Sequence, residues 1–254
     1  VAVKTKQHQT VSSAQERQQL NSSIWKAADT LRGSVDGWDF KAYILGMIFY
    51  RFASENLTEF LNKSQREAGE ADFDYTKLSD ELAEYGREDT VDDLGYFLLP
   101  SQLFQNVADK ADKNADLNET LKDAFDGFEG SAVGHKSEAT IKGLFGDLDV
   151  NSSRLGSTVA QRNKLLARIM KEVAGFPLGS LGEKNNDTFG DAYEFLMTMY
   201  ASKAGKSGGE FFTPQSVSEL VAKISASGRE KLRRVYETIR ADWIHFSADF
   251  VLAA

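Results

Sequence analysis

The sequence contains no cysteine, and only 3 prolines and 3 histidines among its 254 residues. Without cysteine there is no disulfide framework, thiolate zinc site, iron–sulfur cluster or cysteine nucleophile, and the chemistry fits a reducing compartment such as the cytoplasm. No run approaches the roughly 18 apolar residues that a membrane span requires. The first 19 residues are polar and lack the apolar stretch of a signal peptide. A soluble, cytoplasmic protein without membrane contact is therefore expected. His8, His135 and His245 are far apart and lack liganding companions, so they read as surface residues, and no Ser-His-Asp constellation can be argued from them.

Proline is scarce while Ala, Leu, Glu, Lys and Gln abound, which predicts helix as the dominant element. The 20 glycines then fall mostly in loops and caps. The length allows one or two domains with a substantial core. The formal charge of −8 argues against a whole-surface nucleic-acid binder. It leaves open a local basic face, or a subunit whose partner supplies the DNA contacts.

The apolar spacing predicts a first helix over about 14–32, with Leu20, Ile24, Ala27, Ala28 and Leu31 on one face and Gly33 ending it. A second helix is expected after Asp36 or Asp39 as N-cap. Its Phe40, Tyr43, Ile44, Met47, Ile48 and Phe52 form the strongest amphipathic stripe in the chain, a bundle core. From Asn62 to Gly95 the sequence is polar and acidic and reads mostly as a solvated face, without the spacing of a calcium loop. Gly95-Tyr-Phe-Leu-Leu-Pro100 reads as a short extended core piece, with Pro100 opening the next helical turn. Helical pattern returns at 103–111, 117–128, 137–145 and 159–173, while 144–150 reads as a loop or very short strand. After Phe176-Pro177 a Gly-rich linker leads to Asp187, an N-cap for a helix with Phe189, Tyr193, Leu196, Met197 and Tyr200. Glu194 on that helix reads as solvent-facing. No internal repeat or low-complexity tract is present.

The stretch Ala204 to Glu210 contains Gly205-Lys206-Ser207 but is not a phosphate loop. A Walker A motif needs Gly where the chain has Tyr200, and a preceding strand where the pattern is helical. The following Glu210-Phe-Phe-Thr-Pro-Gln215 offers more. Thr213 can cap and Pro214 suits the first position of a helix carrying Val217, Leu220, Val221 and Ile224. The free N–H groups of such a helix start suit a carboxylate or phosphate. Phe211 and Phe212 either flank a flat or cationic group or simply anchor the turn in a core.

An ordered set of motifs spans roughly residues 15–236. It comprises Ile24-Trp25…Leu31-Arg32-Gly33, Tyr43-Ile-Leu-Gly-Met-Ile-Phe-Tyr50, Gly95-Tyr-Phe-Leu-Leu-Pro100, Leu148-Asp-Val-Asn-Ser-Ser-Arg-Leu-Gly156, and Gly190-Asp-Ala-Tyr-Glu-Phe-Leu196 with Gly209-Glu-Phe-Phe-Thr-Pro214. Together they resemble the modification subunit of type I restriction–modification systems, an adenine-specific DNA methyltransferase. The resemblance implies a mainly α chain, with a bundle-like helical N-terminal domain at 1–176. The linker and first helices of a truncated α/β methyltransferase domain follow at 177–236. It further implies S-adenosylmethionine as cofactor, with Glu210, Phe211, Phe212, Thr213, Pro214 and Gln215 as candidate contacts. Implied partners are a specificity subunit, a second modification subunit, a restriction subunit, and DNA through the assembly, where base extrusion would deliver the adenine.

The family next has Asp-Pro-x-Cys-Gly-Ser-Gly and, later, Asn-Pro-Pro-Phe. Here Lys231-Leu-Arg-Arg-Val-Tyr236 is followed by an unrelated stretch to Ala254, so no catalytic residue can be assigned. Residues 237–254 are expected to be an atypical tail, read out of frame. The chain is expected to be inactive alone, with weak or absent cofactor binding. The alternative reading is an assembly module that docks on specificity or modification subunits.

Overall fold

The computed structural model describes residues 18–29 and 37–178, together with Ala192, Phe195, Leu196, Leu220 and Ile224. All regular structure among these residues is helical. Helix α1 (18–29) buries Leu20, Ile24 and Ala27 completely, as the spacing predicts, while Trp25 stands 48% exposed on its other side. The expected ends of this helix, and the turn after it, lie outside the described residues.

Helix α2 (Gly37–Glu67) is the spine, 31 residues and so about 46 Å long at 1.5 Å per residue. Its predicted stripe is the core: Tyr43, Ile44, Met47 and Ile48 are buried, and the stripe continues through Ala53 and Leu57. Asp39 lies inside the helix rather than capping it, because the helix begins at Gly37. Asp36 lies outside the described residues.

The acidic stretch is more ordered than its composition suggests. It holds the last turn of α2, a 3₁₀ turn at Tyr75–Lys77, α3 (Asp80–Glu84) and α4 (Arg87–Leu94). Most of the stretch is exposed or half-buried, as expected for a largely solvated face, while Tyr75, Ala83, Thr90 and Val91 are buried. Asp74 caps the 3₁₀ turn and Ser79 caps α3 through their side chains. These local bonds form short helices without a long apolar stripe. Gly95 ends α4 with φ 84°, a left-handed cap suited to glycine.

The 96–99 segment is extended and buried, with Tyr96, Phe97 and Leu98 no more than 1% exposed, and Pro100 opens a 3₁₀ turn at Pro100–Gln102. Helix α5 is shorter than its pattern, Phe104–Ala108, and a 3₁₀ turn at Ala111–Lys113 follows. Helix α6 is Leu117–Ser131 and α7 only Glu138–Ile141. The expected continuation of α7 to Phe145 fails because Lys142 is extended and Gly143 turns left-handed at φ 79°. The Glu129 carboxylate fixes that bend by accepting from the Gly143 and Phe145 N–H groups at 2.9 and 3.1 Å. Residues 144–150 form a loop, and α8 (Val159–Ala174) closes the domain.

Helix α8 packs on α2, α5 and α6, and α2 packs on α5. Between them lies an aromatic cluster. Phe125 stacks on Phe145 with centroids 4.1 Å apart, and Tyr50 meets Phe104 and Phe125 edge-on at 5.5 and 5.3 Å. Phe49 meets Phe128 edge-on at 5.8 Å. Each such pair adds about 0.5–1.5 kcal/mol beyond area burial. The phenols at this level are satisfied: Tyr50 donates to the Gln102 carbonyl, Tyr75 to Leu98 and Tyr96 to Ala53.

The chain divides into two compact units, Val1–Leu196 and Met197–Ala254. In the second, Leu220 and Ile224 lie in helical backbone and are exposed.

Candidate functional site

None of the sequence-selected site residues Glu210, Phe211, Phe212, Thr213, Pro214 and Gln215 falls within the described residues, nor do Glu194, His8 and His245. The described structure therefore shows mainly the helical region up to residue 178. Among the described residues no three His, Cys, Asp or Glu side chains are grouped to hold a metal ion. No helix there is long and apolar enough to cross a membrane.

The end of α8 is held by Arg51 of α2, whose side chain is 14% exposed. Its Nη1 donates to the carbonyls of Val173, Ala174 and Phe176 at 2.8, 3.2 and 2.9 Å. Its Nε pairs with Glu55 one turn along the same helix at 2.6 Å. The Val173 and Phe176 carbonyls also accept from the Phe176 and Leu178 N–H groups, and the Arg51 cation adds a charged donor that offsets the partial negative charge of the helix end.

The start of α6 is held from α8. Asp116 gives no side-chain cap, and Asn163 replaces it, accepting from the Asn118 backbone N–H at 3.0 Å while its Nδ2 donates to the Ala115 carbonyl. The Asn118 side chain, 3% exposed as a residue, donates to Glu119 and to Asn151 in the loop before α8. Periodicity cannot mark such a pair, since two polar residues 45 apart carry no signal until the fold joins them.

His135 is not the surface residue expected. Its ring is 16% exposed and sits against Ser137 through Nδ1 at 2.8 Å, with Nε2 at 4.0 Å from Asp92. Ser137 donates in turn to the Gly95 carbonyl, so the group fastens the start of α7 to the end of α4. Asp74 and Glu84 have carboxyls held below their ordinary values by hydrogen bonds from Lys77 and Arg87 respectively.

Chemically, these features hold, cap and present surfaces. The described residues define an all-helical domain. The model of the HsdM N-terminal domain matches residues 20–173, and that of N-6 DNA Methylase matches residues 184–239, a range that includes Glu210–Gln215. The chain belongs to the HsdM N-terminal domain family. It is 44% identical over 230 residues to the type I restriction enzyme MpnII methylase subunit of Mycoplasma pneumoniae, covering 88% of this chain and 42% of that protein. It is 20% identical over 210 residues to the type I restriction enzyme MjaIX methylase subunit of Methanocaldococcus jannaschii, covering 81% and 35%. Among solved structures it resembles the type I restriction-modification system methyltransferase subunit from Streptococcus thermophilus. That match has a TM-score of 0.69 and 30% identity, and covers 85% of this chain and 45% of that one. The chain thus spans less than half the length of the relatives it matches.

Proposed function

We propose that this chain is the N-terminal part of a type I restriction–modification methylase subunit whose complete form transfers a methyl group to the N6 atom of adenine in DNA. The observation that carries this is the ordered pair of family matches, 20–173 and 184–239, on one chain with a relative at 44% identity. The same ranges support a helical domain within 1–176 and the start of the methyltransferase domain within 177–236; we read 237–254 as an atypical tail, although the second match runs to 239. In the complete subunit S-adenosylmethionine supplies the methyl group. Glu210 to Gln215 offer a carboxylate, a hydroxyl, an amide and two aromatic faces, a donor set that suits a cationic, partly flat ligand. We assign them to one wall of that pocket, and place the helical domain as the part that docks on specificity, modification and restriction subunits, working in the cytoplasm.

The 254 residues taken alone carry no assigned catalytic motif and are inactive in this reading. Losing several hydrogen bonds at about 1–3 kcal/mol each moves even a micromolar cofactor site to millimolar or weaker. Incubation of the purified chain with duplex DNA and a radiolabelled methyl donor should leave the DNA unlabelled, and calorimetry should show no micromolar binding of S-adenosylmethionine. Label in the DNA would overturn the inactivity. The second reading, a docking module in its own right, is favoured by a described domain rich in held and capped helix ends. Translation of the encoding DNA in three frames beyond the Tyr236 codon separates the two. An in-frame Asp-Pro…Gly-Ser-Gly in another frame favours the first, and no such frame favours the second.

A further inference from the structure

The most unusual surface of the helical domain lies on α3 and α4. Leu82 is 58% and Tyr85 88% exposed, three residues apart and so on one face of the same short turn. Single exposed apolar side chains are ordinary, but two together without cover mark a contact surface more often. Around them the stretch from Ser79 to Gly95 carries seven carboxylates and one base, Arg87. Arg87 is turned inward: it donates to both carboxylate oxygens of Glu84 and lies 4.6 Å from the centre of the Phe97 ring. Among the described residues no ion pair involves Glu81, Glu88, Asp89 or Asp93, and all four are exposed.

We infer that the Leu82–Tyr85 face is a docking surface for a partner protein that presents Lys and Arg around an apolar recess. An apolar centre inside a charged rim is the anatomy of a protein interface, and tyrosine is enriched among the residues that dominate binding. The charge selects the class of partner. A concentration of carboxylates repels a phosphate backbone and an anionic lipid surface, and it opposes a second copy of the same acidic face. A basic protein face gains from it twice, in steering during encounter and in register once bound.

This inference rests on the proposed reading of the chain as an assembly subunit, so the probe is the purified cognate specificity subunit, titrated against the full 254-residue chain. Wild-type binding should weaken as salt rises, because the rim charges are screened. Leu82→Gln with Tyr85→Gln should weaken it at least tenfold, and so should Glu81→Lys with Glu88→Lys, each with unchanged melting temperature, since all four side chains are exposed. Equal affinity of both variants and the wild type overturns the surface while leaving the assembly reading intact. No binding by the wild type overturns the assembly reading and the partner assigned with it. Self-association of the chain that the Leu82 and Tyr85 substitutions abolish would overturn the basic partner in favour of a second copy.

Discussion

The guanidinium of Arg51, in the middle of α2, donates to the carbonyl of Val173 in the last turn of α8 at 2.8 Å. The two residues are 122 positions apart, and the same nitrogen reaches on to Ala174 and Phe176. One side chain therefore ties the long helix α2 to the end of α8. Glu55 completes the arrangement by orienting the guanidinium from one turn away.

Replacing Arg51 by Ala should cost about 2 kcal/mol, since hydrogen bonds from a charged donor are worth about 1.5–3 kcal/mol, while the Val173 and Phe176 carbonyls keep their main-chain donors and the Ala174 contact is exposed. For a domain of this size that lowers the melting temperature by about 4–8 °C in a thermal scan. Arg51→Lys keeps the charge but not the planar fork, so it should recover only part of the loss. A melting point for Arg51→Ala equal to the wild type would show that the carbonyls find water instead.

Asn163 poses a sharper case because both of its amide ends are used within the protein. Truncation to Ala leaves the Asn118 N–H and the Ala115 carbonyl without their partner in a region where Asn118 is only 3% exposed. The buried Asn118 N–H, once orphaned, costs about 1–3 kcal/mol, whereas the carbonyl of the exposed Ala115 can turn to water, so a loss of about 2 kcal/mol is expected. The urea midpoint should fall with an unchanged slope, and amide exchange at Asn118 should accelerate.

Much of this frame was legible from apolar spacing. The stripe of α2, the buried face of α1, the extended 96–99 segment and the extent of α8 all follow from periodicity or from a short apolar run, because each is a local pattern with one buried side. The acidic stretch is mostly solvated, as its composition says, but its short helices carry no apolar stripe to announce them. Helices α3 and α4 are fixed by Ser79, by Gly95 and by a few buried small or polar residues such as Ala83 and Thr90, none of which makes a stripe. Arg51, Asn163 and His135 were invisible because their partners are remote in sequence or lie in loops. The family motifs pointed to Glu210–Gln215, a segment whose chemistry is read from residue type alone, since it lies outside the described residues.

Two glycines should respond to alanine with opposite signs. Gly156 adopts φ 153°, and a Cβ there would lie 2.6 Å from the Gln161 Cβ and 3.1 Å from the Arg162 backbone nitrogen. Gln161 is the second partner of the Thr158 capping box that opens α8, so the strain falls on a helix start. Gly156→Ala should destabilise by about 1–3 kcal/mol. Gly130 lies within α6, and a Cβ there would meet nothing within 4 Å. Gly130→Ala should stabilise by about 0.5–1 kcal/mol through the lower entropy of the unfolded chain. Denaturant melts of the pair, run side by side, check both directions.

The buried tyrosines set the alkaline limit of the fold. Burial pushes the Tyr50, Tyr75 and Tyr96 phenols well above their ordinary value of 10.0, with the Asp80 carboxylate adding to the rise at Tyr75 and the Asn56 amide opposing it at Tyr96. The unfolded chain loses these protons near pH 10 while the folded chain keeps them. Their contribution is therefore complete below about pH 10 and is lost as pH climbs toward the folded values. Tyrosinate absorbance from Tyr50, Tyr75 and Tyr96 should appear above pH 10 only with loss of the helical signal. Immediate ionisation of all tyrosines with the helices still intact would contradict the packing described for α2, α5 and α6.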